Sequence, residues 1–383
     1  MKRLIMTCMA LSACLTMAAQ DFVFNHGPYL QNPGTDEMTV FFTTSKNAFS
    51  WVEVKGGEWA EPQVFAPRSE GLIEAYNTAN AIRITGLQPD TEYQYRLVSK
   101  EMTKFQPYSV TFGETITSGW ETFRTLDPKA KEVTFLMVND GHGDSGKLRK
   151  LLETFPLDEV DIVFYNGDMI SYYDDATVPY SGFLDVSTEL FAKNKPFVYV
   201  RGNHETRGNL ARSYKSLVGT PNDRFYNLFF YGNTAFVLLD TGEDKPDTTP
   251  VYAGINDFDG YRTEQAQWFR TEVLKSKAFR KAKHKVALMH IPPLVTPGIP
   301  AGEEHGNVQL NAEIAPLFNK AGLDLSLHGH THHYYSYDKG EQGCQFPVLI
   351  NDNHSAMLVK ITDDGIYTKI INDKGEVLHE KTY

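Results

Sequence analysis

Cysteine is nearly absent from this chain: three occur in 383 residues. Cys8 and Cys14 lie in the first nineteen residues, so Cys344 is the only one in the remainder of the chain. No intramolecular disulfide can brace the mature fold, and a metal site built on several thiolates is excluded. Positive charge is also short, with 37 Lys and Arg against 48 Asp and Glu, for a formal net charge of −11. Phosphate backbones need clustered Lys and Arg, so a nucleic-acid-wrapping surface is excluded. An acidic protein that handles phosphate must make its positive field locally, and bound metal ions would do that. Low-complexity tracts and repeats of solenoid period are missing too. What is there, 41% hydrophobic and 13% aromatic residues, is the composition of an ordinary globular protein. The length suggests two domains rather than one core.

The one extended apolar stretch sits at the N-terminus. Lys2 and Arg3 precede an uncharged run from Leu4 to Ala19, which resembles a bacterial secretory signal with a cut after Ala19. Residues 1–19 are therefore expected to be a signal peptide, and the protein to be exported, periplasmic or extracellular. A second reading is that Leu11-Ser12-Ala13-Cys14 resembles a lipobox, which would anchor a lipoprotein through Cys14. The run is too short, and ends in residues too small, for a transmembrane anchor.

Residues 20–126 read as strands and turns without helical periodicity. Met38–Thr43, Trp51–Lys55, Ala81–Thr85, Tyr93–Val98 and Thr122–Thr125 are the predicted strands. Leu87-Gln88-Pro89-Asp90-Thr91-Glu92-Tyr93 resembles the stretch of a fibronectin type III β-sandwich in which a Tyr closes a corner after a Pro turn. This segment has one His, His26, and no group at metal-ligand spacing, so it is not expected to do chemistry. Leu126 to Lys131 reads as a linker.

Residues 127–383 alternate strands with helical segments, Ser145–Phe155 and Thr263–Leu274 among them, and return to strands after Phe346. Here seven residues of metal-ligand type sit at five points, each at or just past the end of a short apolar run. Asp140 and His142 follow Val133–Val138, Asp168 follows Val160–Tyr165, and Asn203 follows Pro196–Val200. His290 follows Lys285–Met289, and His330 and His332 follow Leu323–Leu327. The runs are rich in Val, Ile, Leu and Phe and too short for helices, which reads as strands buried on both faces. Asp140 and Asp168 are 28 residues apart, about one strand-helix-strand unit. Ligands of open α/β sheets bind beyond the carboxyl ends of strands, so five strand ends can deliver Asp, His and Asn to one place. Singly, each has a bland reading as a cap, turn former or satisfied core histidine.

Together, Asp140-Gly141-His142, Gly167-Asp168, Gly202-Asn203-His204-Glu205, His290 and Gly329-His330-Thr331-His332 follow the order of the calcineurin-like metallophosphoesterase signature, which this chain resembles. The sandwich in front, and Glu264-Gln265-Ala266-Gln267-Trp268 before the fourth block, resemble the purple acid phosphatase branch. The resemblance implies an α+β protein, a fibronectin type III-like β-sandwich followed by a four-layer αββα metallophosphoesterase domain. It also implies two metal ions, one on Asp140, His142, Asp168 and His332, the other on Asp168, Asn203, His290 and His330. Imidazole, carboxylate and amide ligands suit divalent Mn, Fe or Zn. The implied activity is hydrolysis of phosphate monoesters by a metal-activated hydroxide, with His204 as the catalytic acid for the leaving group. A phosphodiesterase on the same centre is the nearest alternative, and an inactive phosphatase-like binding protein a more distant one. The partner implied is a small phosphorylated substrate.

One departure is informative. The purple enzymes carry a metal-bound Tyr three residues after the second-block Asp; here Ser171 holds that place, Tyr172 is one later, and His142 supplies a nitrogen instead. A non-purple centre is therefore expected. Arg201 is a candidate phosphate grip or else a salt bridge. His328, His333 and His354 are candidate pocket or packing residues, Tyr334-Tyr335 a stacking or packing pair, and Leu294–Asn307 a loop shaping access.

Overall fold

The computed structural model describes residues 21–299 and 302–383. The expected signal peptide, residues 1–19, lies outside the described residues.

Antiparallel strands from Tyr29 to Arg124 form the N-terminal region. Met38–Thr43 and Trp51–Lys55, expected as separate strands, are halves of one, Glu37–Gly56. Its first half pairs with Tyr29–Gln31 and Asn77–Thr85, its second with Trp59–Phe65 and Glu92–Gln106. The register shifts between Thr43 and Ala48, where the strand changes partners. The polar Ser45-Lys46-Asn47 reads as a turn, yet a strand can cross between layers at an irregularity without reversing. Val40, Phe42, Val52, Val54, Ile84 and Tyr95 fill the space between the halves. Tyr93 closes the expected corner: its hydroxyl accepts a 2.9 Å bond from the Gln88 amide. Strand Ser109–Thr117 went unread because nearly all its side chains are exposed, which erases alternation.

The rest is built on two six-stranded sheets. In the first, Phe197–Val200, Ile162–Asn166 and Val133–Val138 run parallel, and Ser355–Thr362, Gly365–Asn372 and Val377–Thr382 continue antiparallel. In the second, Thr234–Leu239, His284–Met289, Leu325–His328 and Val348–Ile350 are parallel, flanked by Asn227–Tyr231 and Tyr335–Tyr337. Phe135, Phe164, Phe236, Leu288 and Leu327 pack between the sheets. Helix Ser145–Leu152 covers the outer face of the first through Leu148, Leu151 and Leu152. Helices Phe258–Trp268, His305–Glu313 and Ala315–Ala321 cover the second. Both faces of the central strands are thus buried, the physical reason their sequences read as unbroken apolar runs. The layers are helix, sheet, sheet, helix, as the resemblance implied.

The N-terminal region docks on the edge strand of the first sheet. Tyr29 stacks on Phe197 at 5.8 Å and donates to the Leu217 carbonyl at 3.0 Å, and the Tyr95 hydroxyl donates to the Lys193 carbonyl at 2.7 Å.

Candidate metal centre

The parallel strands of both sheets point their carboxyl ends at one edge, and the seven residues converge there. The chain turns sharply at each end. Asp140, His142, Asp168, His330 and His332 all adopt left-handed backbone, with φ of 53°, 49°, 57°, 71° and 55°. Such a residue costs about 1–2 kcal/mol without a glycine's freedom, and strain concentrated at one site marks function rather than folding. Two glycines permit the close approach. A Cβ on Gly202 would lie 2.2 Å from Asp168 Oδ1, and one on Gly167, at φ +84°, 2.5 Å from His290 Nδ1.

The side chains fall into overlapping groups with ligand atoms mutually within 4.8 Å: Asp140, His142 and His332; His142, Asp168 and His204; Asp168, His290 and His330. His332 Nε2 is 3.1 Å from Asp140 Oδ1 and 3.0 Å from His142 Nε2. Asn203 Oδ1 is 3.1 Å from His330 Nδ1, which places the amide beside the third group.

The arrangement fits metal ions. Asp140 Oδ2 is held by the Asn139 side-chain amide at 2.6 Å and the His330 amide at 2.9 Å, but its buried Oδ1 has no hydrogen-bond partner among the described residues. His290 donates from Nδ1 to the Asn166 carbonyl at 2.7 Å, which turns Nε2 inward, and that atom too is buried without a hydrogen-bond partner. A backbone carbonyl orienting a histidine in this way is how metal-ligating rings are commonly held. Among buried atoms, unanswered lone pairs are costly unless a cation supplies the answer.

Electrostatics agree. Burial would raise the Asp168 carboxyl, but His290 outweighs it and holds the group well below the usual carboxylate range. Burial opposes charge on His290, yet Asp168 and Asp140 push it up to about 10. His290 Nε2 is 3.0 Å from Asp168 Oδ2 but not in line for a hydrogen bond. Burial lowers His142 and His330 to about 4, leaving neutral imidazoles able to donate a lone pair to a cation.

Glu205, not singled out from sequence, organises the turn. It is fully buried and accepts from the amides of Asp168 (3.0 Å), Met169 (2.7 Å), Ile170 (3.3 Å) and Gly202 (2.9 Å) and from the Tyr199 hydroxyl (2.7 Å). Nothing local distinguishes it from a surface Glu after a His, since three of its five donors come from another strand's loop. His204 donates from Nδ1 to the Ser171 carbonyl at 2.9 Å, and its Nε2 accepts from Arg207 Nη1 at 2.9 Å. That tautomer carries its one ring proton on the side facing Ser171.

A cavity of about 530 Å³ opens beside the centre. Asp168, Asn203, His204, His330 and His332 line it, together with Arg207, Lys245 and Tyr335. Thr296, Pro297, Gly298, Ile299 and Glu303 also line it, which places the expected access loop at its rim. His333 faces the same cavity. The remaining candidates lie elsewhere. Arg201 is not at the cavity and forms a sheltered pair with Asp240, Nε to Oδ2 at 2.8 Å, its guanidinium 4.1 Å above the Phe225 ring. His328 is buried and bonded to Met289 O and Ser326 Oγ, a packing residue. His354 pairs with Asp373 at the surface. Tyr334 bonds His379 rather than lining the cavity. Tyr172 is 55% exposed, and its ring centre lies 6.1 Å from that of His204.

Comparison with known proteins agrees with this geometry. The family described as calcineurin-like phosphoesterase matches residues 133–334. A purple acid phosphatase, PPD1 from yellow lupin (Lupinus luteus) seeds, is similar in structure, with a TM-score of 0.64 at 16% identity, over 93% of this chain and 73% of that one. PhoD is similar with a TM-score of 0.59 at 14% identity, over 92% of each chain. At these identities the likeness is one of fold. No curated protein matches the chain in sequence. The matched segment spans all five strand ends and more than half of the chain: this protein belongs to the calcineurin-like phosphoesterases.

Proposed function

We propose that the protein is an exported phosphatase that hydrolyses phosphate monoesters at two divalent ions, Mn, Fe or Zn. Asp140, His142, Asp168 and His332 would hold one, and Asp168, Asn203, His290 and His330 the other. The observation that carries the reading is the pair of buried, unpartnered ligand atoms, Asp140 Oδ1 and His290 Nε2, beside an open cavity. When bound, two such ions supply Lewis acidity and make a nucleophile from water near neutral pH. The chain's own residues do the rest. Glu205 fixes the Asp168 and Gly202 loops, the Asn166 carbonyl fixes the His290 tautomer, and the cavity admits the ester arm. His204 is the candidate proton donor to the leaving oxygen; it can act from Nε2 once that atom, which faces Arg207, carries a proton. The monoester form rests on charge, because a terminal phosphoryl dianion needs more compensation than a diester, and two divalent ions would supply it. Export rests on Lys2, Arg3 and the apolar run before Gln20.

The test is a rate comparison on aryl monoester and diester phosphates after chelation and reloading with Mn or Zn. The monoester should be hydrolysed faster, and only by reloaded protein. A faster diester would move the substrate class, and inactivity on both after reloading would remove the reading.

A further inference from the structure

We propose that Arg207 grips the phosphoryl oxygens of the substrate, the role that sequence position alone suggested for Arg201. The inference rests on the phosphoesterase reading above. Arg207 ends the short turn that begins at His204, and it lines the same cavity as Asp168, Asn203 and His330. Glu243, with 1% of its side chain exposed, accepts from Nε at 2.9 Å and from Nη2 at 2.8 Å. Glu243 Oε1 is itself steadied by the Thr206 hydroxyl at 3.0 Å. This bidentate clamp sets the plane of the guanidinium before any ligand arrives, so little rotamer freedom is lost on binding.

An Arg side chain has five N–H donors. Glu243 takes two and His204 Nε2 one, which leaves one on each terminal nitrogen. The side chain is 24% exposed, and the free donors belong to a group that lines the cavity. Paired N–H groups in a fixed plane match two oxygens of a tetrahedral phosphoryl group. Glu243 neutralises the cation, so the contribution is directional donors rather than net charge. The other cations fit less well. Lys245 Nζ lies 3.3 Å from both Asp244 oxygens and 3.2 Å from Glu303, and Arg201, paired with Asp240 and stacked on Phe225, lines a different cavity. An oxygen that drew the Nη1 donor away would also free His204 Nε2.

Inorganic phosphate is the probe. Its affinity for Mn-loaded protein is measured by calorimetry, and as a product-inhibition constant against nitrophenyl phosphate, with metal content and circular dichroism read on each sample. Arg207→Ala should weaken phosphate about 10-fold to 100-fold, the size of a lost charge-assisted pair, with KM rising in parallel and metal content unchanged. Arg207→Lys keeps Glu243 partnered and guards against misfolding; it should weaken phosphate by a smaller factor because the fork is gone. Folded variants that bind phosphate as tightly as wild type would overturn the proposal. So would a loss confined to kcat, since Arg207 would then serve only to place His204. Wild-type protein that neither binds phosphate nor hydrolyses any ester would instead bring down the phosphoesterase reading, and this proposal with it.

Discussion

Replacing Glu205 with Gln tests whether the centre is held in shape by one buried carboxylate. The change is nearly isosteric, so cavity formation contributes little and hydrogen bonding decides the outcome. Oε1 accepts from Met169, Ile170 and Tyr199, and Oε2 from Asp168 and Gly202. An amide nitrogen cannot accept, so whichever oxygen it replaces, at least two buried N–H groups lose their partner. Each orphaned donor costs about 1–3 kcal/mol, and the surviving bonds lose charge assistance. Relaxation of the loops recovers part of this, and a net loss of about 3 kcal/mol is expected. Because the orphaned donors belong to the turns that carry Asp168 and precede Asn203, the damage falls on the centre itself. Metal affinity should drop about 10-fold to 100-fold, as it does when partners that orient ligands are removed. Urea unfolding of the metal-free variant, read at unchanged m-value, gives the first quantity, and competition with a chelator gives the second. A destabilisation under about 1 kcal/mol together with unaltered metal affinity would refute the account, because it would mean that the strained turns at Asp140 and Asp168 hold themselves.

Asp168→Asn and Asn203→Ala should each abolish ester hydrolysis with the circular dichroism spectrum retained, since both lie at the centre and neither empties a hydrophobic core; near-normal rates in either would sink the dinuclear assignment. His204→Ala should slow alkyl phosphates by about 10²-fold to 10⁴-fold, and nitrophenyl esters far less, because a good leaving group needs no proton; equal losses would make His204 a positioning residue. The metal-replete protein should be colourless, for Ser171 Oγ bonds the His142 carbonyl and Tyr172 is turned to solvent. A visible charge-transfer band lost in Tyr172→Phe would show that the ring swings inward to a ferric ion. Mass spectrometry of the exported protein should find Gln20 as the first residue; a lipidated Cys14 would instead support the lipobox.

The sequence by itself determined the strands that carry the site and the order in which their ends present ligands. Val133–Val138 is legible because a strand between a second sheet and a helix layer is apolar on both faces, and its six residues are too few for a buried helix. The seven ligand-type residues were legible only together, since each alone reads as well as a cap, a turn former or a core histidine, whereas five strand ends carrying them in one order do not. Glu37–Gly56 was not legible as one strand, because continuity across Ser45-Lys46-Asn47 depends on which neighbours it pairs with on either side. Ser109–Thr117 was missed because exposure removes the periodic signal on which any local reading depends. Only the tertiary structure separated Arg201 from Arg207. The two lie in the same short stretch, one ending a strand and one ending a turn, and nothing local says which guanidinium meets Asp240 in the interior and which meets Glu243 beside an open cavity. Glu205 shows the same limit: three of its five donors, the amides of Asp168, Met169 and Ile170, belong to a loop that is its neighbour in space alone. Residues of ligand type at strand ends can be read along the chain, whereas the groups that orient them are chosen by proximity, which exists only after folding.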